Sequence, residues 1–543
     1  MKILGLSALF HDASAAFIED EKIVWAGHAE RYDGKKLTKH LNSDLIDEGL
    51  RRGGRPDIIA WYENPWKKKV RQLYAGEYKE AFSLNNLPSR YLKCFPQLKG
   101  IPIKYCDHHY SHACAGYFTS TFNESAIVVI DAIGEWDTAT IWHAKGNKIK
   151  KIKSYKYPNS LGLLYTAFTV RAGLRPVDEE YILMGMAGWG EPKYAGDIMR
   201  DFIALDFTHK GDVFKLRQNV HRGIGEWFPN ADLMDLAASI QKVTEQTISM
   251  IMQQASELVD SPNLCYQGGV SLNCVANHIP TKWFDNVWIM PNPGDSGNAL
   301  GAALAQRNNY VKWQTPYLGT NIPGIYPVEK ALDLLLKGEI FGIASGPAEY
   351  GPRALGNRSL VADPRGPEIK DRVNEIKRRQ KFRPFAPVIL EEYVHDYFEM
   401  PTKTSPYMQF TGVCKYPNKF PAITHIDGTS RVQTVSKTQN KGLYSLIKAF
   451  MDQTGCPMIL NTSLNIRGKP MVNTREDADA FEKEYGELSD YVILALLPSY
   501  LERGHSGLIS MVNHFIQKTE SEESGFYLNE FQQLYDHLLS LKE

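Results

Sequence analysis

The sequence predicts an α/β protein in which two related halves face each other across a cleft, with further folded chain beyond them. Three observations predict this class. A run of strand, polar loop, strand, tight turn and strand occurs twice, first near Lys2 and again near Ala126. Helical stretches follow each run, as at residues 241–259, where apolar residues recur at helical spacing. The 543 residues exceed what one core can organise, so two to four domains are expected.

In the first run, residues 2–8 form a short apolar strand that breaks at Phe10-His11-Asp12. Residues 13–17 resume as a strand, Glu19 to Lys22 turn, and residues 23–27 run back. In the second, residues 126–131 form an apolar strand ending in the loop Ala132-Ile133-Gly134-Glu135. Residues 138–143 are its second strand, 144–147 its turn and 148–153 its third. Lys and Ile alternate from Lys148 to Lys153, which puts the lysines mostly on one face of an edge strand, where charge guards against pairing with other chains.

Between the two runs lies Asp107-His108-His109-Tyr110-Ser111-His112. On a helix His108 and His112 share one face, the spacing that metal-binding histidines commonly use. Imidazole pairs need carboxylates to complete a shell, and Asp131 and Asp295 each sit at the mouth of a loop facing the cleft. No Glu follows the first His, so a hydrolytic zinc helix is not expected. His109 fits equally as a spacer or a ligand; histidines satisfied by backbone are the usual reading of such a spacing, and three histidines in five residues behind an Asp weaken it here.

Residues 263–273 read as a strand running into a Gly268-Gly269 turn and a helix, and residues 291–303 as a glycine-rich loop entering a helix of small residues. Backbone N–H groups at such turns can hold phosphates or ribose, so together these loops favour a nucleotide cleft.

Residues 349–365 place Arg353, Arg358 and Arg365 among turn residues, Gly351-Pro352, Gly356-Asn357 and Asp363-Pro364. Turns of this kind aim side chains at a point rather than along a helix face. Guanidinium forks each donate two parallel hydrogen bonds, as phosphate and carboxylate recognition requires. Lys381 and Arg383 follow in an apolar, proline-stiffened stretch, and buried cations need an anion. A basic surface loop is the alternative; an anion site for a phosphorylated small molecule is the reading adopted.

Composition removes several classes. Lys+Arg equals Asp+Glu at 62 each, so no global field argues for nucleic acid or a membrane surface. The seven cysteines lack CxxC spacing, which reads as reduced thiols. The Met1-Lys2 start leads straight into a strand, and no apolar run approaches a membrane span. A cytoplasmic protein without membrane partners is expected.

Many of these motifs, with Ser160 to Tyr165, Met184-Gly185, Gly294 to Gly301, His425 to Gln433 and Asn461 to Gly468, resemble the NodU/CmcH-type O-carbamoyltransferases, in order, from residue 1 to about residue 495. The resemblance implies a Kae1-like domain of actin/hexokinase type over residues 1–330, a YrdC-like α/β domain over 331–497, and a tail, 498–543, whose amphipathic end packs back on the first domain. It implies that carbamoyl phosphate and ATP, with Mg2+, give carbamoyl-adenylate and pyrophosphate at the second domain. The intermediate then passes to the first domain, where Fe2+ or another divalent metal places it against an acceptor hydroxyl.

By position, His108, His112, Asp131 and Asp295 match the metal shell, and His11 the histidine that handles the acceptor. Arg353, Arg358, Arg383 and Arg467 supply forks for the anions, and Ser359, Asn461, Thr462, Ser463 and Asn465 short polar contacts. Gly134, Glu135, Gly268, Gly269 and Asn273 fall at the nucleotide loops of the first domain. Two departures stand out: Ala132 where relatives carry Gly, and Ile182 where they carry Lys. The acceptor is a small-molecule hydroxyl or hydroxymethylcytosine in DNA or RNA. Residues 31–40 are the expected selector, and Tyr62 to Tyr74 a possible strand-binding surface or else a solvated helix start. The rival readings are a threonylcarbamoyl-type tRNA enzyme and a non-enzymatic, actin-like ATP-binding regulator.

Overall fold

The computed structural model describes residues 1–380, 382, 383, 385–484, 494, 495, 521, 525, 526 and 531–540. They fall into two compact units, Met1–Thr474 and Arg475–Glu543. The parts expected as 1–330 and 331–497 therefore share one unit as far as Thr474. Most of the expected tail lies outside the described residues, as do Lys381 and Pro384; within it a helix runs Phe531–Ser540.

Internal duplication governs the first unit. One five-stranded sheet runs, edge to edge, Lys22–His28, Ser14–Glu19, Lys2–Ser7, Ile58–Trp61, Ile103–Tyr105. Another runs Lys148–Lys156, Asp137–Lys145, Glu124–Gly134, Asn263–Gln267, Asn286–Trp288. In each, the first three strands of the chain form an antiparallel meander and the last two lie parallel to the first strand. One chain has built the same order and the same strand senses twice, which is the actin/hexokinase-type arrangement.

Small residues decide how closely the layers approach. A Cβ on Gly5 would come 1.8 Å from the Ala299 carbonyl oxygen, and one on Gly301 would come 2.1 Å from that of Ser111. The Asn298–Arg307 helix is therefore pressed against both the first strand and the His108–Phe118 helix. Apolar cores lie on either side, around Phe17, Trp25 and Trp61 in one half and around Phe168, Phe202 and Tyr266 in the other.

A third five-stranded sheet runs Phe341–Ala344, Arg358–Ala362, Met458–Ser463, Ala386–Leu390, Gln433–Val435, antiparallel except for its last pair. The helices Val328–Leu336 and Lys441–Thr454 pack together beside it. The seven cysteines are all unpaired. Among the described residues no helix is long and apolar enough to cross a membrane.

Two local expectations need correction. The Gly268-Gly269 turn opens only a 3-10 turn, Gly269–Leu272, because Asn273 leaves helical geometry and bonds instead with Gln241. On the Lys148–Lys156 edge strand a bulge interrupts the alternation, and Lys151 and Lys153 pair with Asp137 and Asp212 rather than joining one lysine face.

Candidate active site

The His108–Phe118 helix begins where the first sheet ends, and its start is fixed by a carboxylate from the second half. Glu135 accepts the His108 backbone N–H with both oxygens at 3.1 Å and the Asn64 N–H at 2.6 Å. An acid there also complements the positive end of the helix. Gly134 permits the approach, since a Cβ would fall 2.5 Å from His108 Cδ2 and 2.6 Å from His109 Cδ2. Burial raises the Glu135 carboxyl to about 7.

His108, His112, Asp131 and Asp295 converge with all four ligand atoms within 4.8 Å of one another, and all four are buried. His108 Nε2 lies 3.0 Å from Asp131 Oδ2 and 3.3 Å from Asp295 Oδ1, and the two Nε2 atoms are 3.2 Å apart. Asp295 Oδ1, although enclosed, makes no hydrogen bond. Two imidazole nitrogens facing each other beside a buried carboxylate oxygen without a partner fit a shared divalent cation. Two nitrogens with two oxygens suit a first-row metal such as iron(II) or manganese(II). His109 is excluded from this shell: its Nδ1 meets Thr140 Oγ1 at 2.9 Å, and burial, with His108 nearby, lowers it to about 3.

The surroundings orient these ligands. Gly269 donates its N–H to Asp131 Oδ1 at 3.0 Å, and Ser7 Oγ donates to the Asp295 carbonyl at 3.2 Å. Gly268 has φ +94°, and a Cβ there would lie 2.2 Å from the Ile130 carbonyl oxygen, so the turn can press against the strand that carries Asp131. His11 completes the cluster, with Nε2 3.3 Å from Asp295 Oδ2 and Nδ1 3.0 Å from Asp12 Oδ2.

A separate cluster of cations gathers from the loop before the Arg358–Ala362 strand, the segment after the Ile369–Ile376 helix and the end of the Thr429–Arg431 strand. Arg353 is half-buried and, among the described residues, reaches only the Leu272 carbonyl, at 3.4 Å. Burial and the neighbouring Arg431 lower it to about 9. Burial, then Arg383 and Arg431, lowers Arg379, and burial with Arg379 and Arg383 lowers Lys377. Arg383 lies over the Tyr181 ring at 4.8 Å. Among the described residues Arg353, Arg383 and Arg431 have no carboxylate partner. Cations crowded together out of water destabilise one another until an anion enters.

Other expected residues are placed differently. Arg358 has no exposed surface and donates to the carbonyls of Thr320, Ser345, Gly346, Asn357 and Asn473, so its fork serves the scaffold. Arg365 forks onto Asp363. Ser359 accepts the Gly356 N–H and is fully buried. Arg467 reaches Glu179 at 3.4 Å while its backbone N–H bonds Lys377. Ser463 and Asn465 gather around the Lys377 ammonium. Asn461 donates to Ala354 and Gln433, and its Oδ1 is buried without a partner. Thr462 pairs with Leu360 in the sheet.

Within residues 31–40, expected as the selector, two side chains are already engaged while Asp33, Lys35, Lys39 and His40 are exposed. Arg31 binds the Glu349 and Gly351 carbonyls, and Lys36 pairs with Asp178. Ile182 is core, while the adjacent Tyr181 faces the cations. Lys377, Arg379, Arg431 and Tyr181 were missed from sequence. Arg431 was within reach, since it lies in the motif from His425 to Gln433.

Residues 2–304 match the carbamoyltransferase N-terminus family and residues 332–496 the carbamoyltransferase C-terminus family. An uncharacterised protein of Synechocystis is 34% identical, over 88% of this chain and 93% of its own. The nodulation protein NolNO of Sinorhizobium fredii is 30% identical, over 87% of this chain and 76% of its own. The 3'-hydroxymethylcephem-O-carbamoyltransferase of Amycolatopsis lactamdurans is 26% identical, over 89% of this chain and 96% of its own.

Proposed function

This chain belongs to the carbamoyltransferase family, and we propose that it activates carbamoyl phosphate with ATP at the arginine cluster and delivers the carbamoyl group to an acceptor hydroxyl beside His108, His112, Asp131 and Asp295. The observation that carries this reading is the gathering of Arg353, Arg383 and Arg431, half-buried, close enough for their charges to repel and without carboxylate partners among the described residues. A transferase that joins two anionic substrates needs that concentration of positive charge, and a non-enzymatic regulator does not.

At the arginines, the forks hold the phosphates of both substrates and offset their mutual repulsion. Water cleaves carbamoyl phosphate to carbamate and inorganic phosphate; a carbamate oxygen then bonds the α-phosphorus of ATP as the bond from that phosphorus to the bridging oxygen breaks, so pyrophosphate leaves and carbamoyl-adenylate forms. Asn461 Oδ1 offers an acceptor to the carbamoyl N–H, which accounts for its want of a partner. The mixed anhydride then meets the acceptor hydroxyl in the first unit's cleft. A divalent cation held by His108, His112, Asp131 and Asp295 would polarise the group under attack. His11, beside Asp295, orients the hydroxyl and receives its proton as the new bond forms.

Pyrophosphate release from ATP tests the first half. Release dependent on carbamoyl phosphate is expected from the wild type and is lost in Arg431→Met and Arg353→Met. Release that ignores carbamoyl phosphate overturns the proposal.

A further inference from the structure

Tyr181 is the second residue of the helix Glu180–Met186, which belongs to the duplicated halves, yet its side chain meets a cation of the later chain. The Arg383 guanidinium lies 4.8 Å from the centre of its ring, and the Lys36 ammonium 5.8 Å. Its phenol is close enough to Arg353 and Arg379 to bear on their charge as well. Tyr181 is half-buried, as are Arg353 and Arg383, so an occupant of the cluster can reach it.

This placement is imposed from both ends of the helix. At its start Glu180 accepts the Val177 N–H at 2.6 Å and the Thr166 hydroxyl at 2.9 Å. Val177 has φ +69°, a conformation that a β-branched residue adopts only when its surroundings dictate it. At the far end the Gly185 carbonyl accepts a hydrogen bond from His425 Nε2 at 3.1 Å. Gly188 lets that imidazole approach, since a Cβ there would lie 2.2 Å from His425 Cε1. Ile182 and Leu183 are buried in the apolar core, which fixes the face that Tyr181 presents.

The hydroxyl is left with one hydrogen to give. A phenol both accepts and donates, whereas guanidinium and ammonium groups only donate. The cations around Tyr181 can therefore serve its oxygen, and none can take its proton. Among the described residues no acceptor meets that proton. Burial lowers Arg383 and Tyr181 works against that, as an oxygen turned toward the guanidinium should. The missing partner is an anion seated among these cations. Phosphate suits the place, because its oxygens point in several directions and let arginine forks and a phenol share one group.

We propose that Tyr181 is a substrate-binding residue of the activation step, donating its hydroxyl to a phosphate oxygen held by Arg353 and Arg383. The duplicated halves thus supply part of the later chain's anion site. The assignment rests on the proposed activation of carbamoyl phosphate with ATP.

Tyr181→Phe isolates the hydroxyl, because it keeps the ring beside Arg383. On the full chain, inorganic phosphate binding is read by titration calorimetry, and KM for carbamoyl phosphate and for ATP by pyrophosphate release with Mg2+. Phosphate is expected to bind about tenfold more weakly in the variant, as for one charge-assisted hydrogen bond lost, at an unchanged unfolding midpoint. KM is expected to rise by a similar factor with kcat little changed. A rise confined to carbamoyl phosphate puts the contact on its phosphate, and one confined to ATP puts it on the triphosphate. Equal phosphate affinity in variant and wild type overturns the proposal, as does a fall in kcat with both KM values unchanged. So does a wild type that binds no phosphate. Phosphate binding that weakens in Tyr181→Phe, in a wild type that releases no pyrophosphate, strikes the activation reading alone and leaves the anion contact standing.

Discussion

Arg358 donates to five backbone carbonyls from a side chain with no exposed surface, whereas Arg353, one loop away, reaches a single carbonyl at 3.4 Å. Replacing the first strands buried acceptors, and replacing the second relieves crowded charge. Arg358→Met is therefore expected to lower unfolding stability by about 3–5 kcal/mol, read by denaturant titration. Arg431→Met and Arg353→Met are expected to keep wild-type stability or gain slightly, while kcat/KM for carbamoyl phosphate falls by about 10²-fold or more, read by pyrophosphate release. If Arg358→Met unfolds normally and loses only activity, its assignment to the scaffold is wrong. Sequence showed that forks would gather in this loop but not which had carbonyls around it. That depends on Thr320 and Asn473, which only the tertiary fold brings to Arg358. His108 and His112 were legible because helix geometry alone puts them on one face.

For the His108–Phe118 helix to carry the proposed metal its first turn must be fixed, and it is held from outside the helix. Gly134 lets Glu135 reach the helix start, and a Cβ there would overlap both neighbouring imidazoles. Gly134→Ala is therefore expected to displace His108 and weaken Fe2+ or Mn2+ affinity by about 10–100-fold, the usual cost of disturbing ligand support, read by metal titration. In the wild type, either metal at a hundred times its Kd should stabilise the fold by about 2.7 kcal/mol, seen as an upward thermal shift. Asp295→Asn should abolish that shift; a shift that survives would place the metal elsewhere. The strands and this helix were legible from period and polarity, whereas the Gly268-Gly269 turn was misread. Glycines there signalled a phosphate loop, but their backbone works against the Ile130 carbonyl and the Asp131 carboxylate. A glycine pair shows that the chain comes close to something, and its partner is set by the fold.

At the scale of the molecule, the arginine loop is clamped onto the loop that carries Asp295. Tyr350 donates its hydroxyl to the Ser296 carbonyl at 2.7 Å, the same oxygen that Ser14 binds at 2.7 Å. Gly351, at φ +150°, sits where a Cβ would lie 2.5 Å from the Pro291 carbonyl oxygen. Arg31 crosses from the first sheet's side to hold the carbonyls of Glu349 and Gly351 at 2.5 and 2.7 Å. The duplicated halves could be foreseen from the repeated strand pattern, but this clamp could not, because no local pattern in either loop refers to the other. Its consequence concerns the hand-over between sites. Under the proposed mechanism a mixed anhydride that escapes is hydrolysed, so loops held in register would deliver it to the acceptor more often than loops that drift. Tyr350→Phe removes one hydrogen bond, about 1 kcal/mol, without touching either site's ligands. Pyrophosphate release in this variant is expected near the wild-type rate, while carbamoylated product per pyrophosphate falls. A purely structural role would lower both together, and an unchanged ratio would show that the hand-over does not depend on this contact.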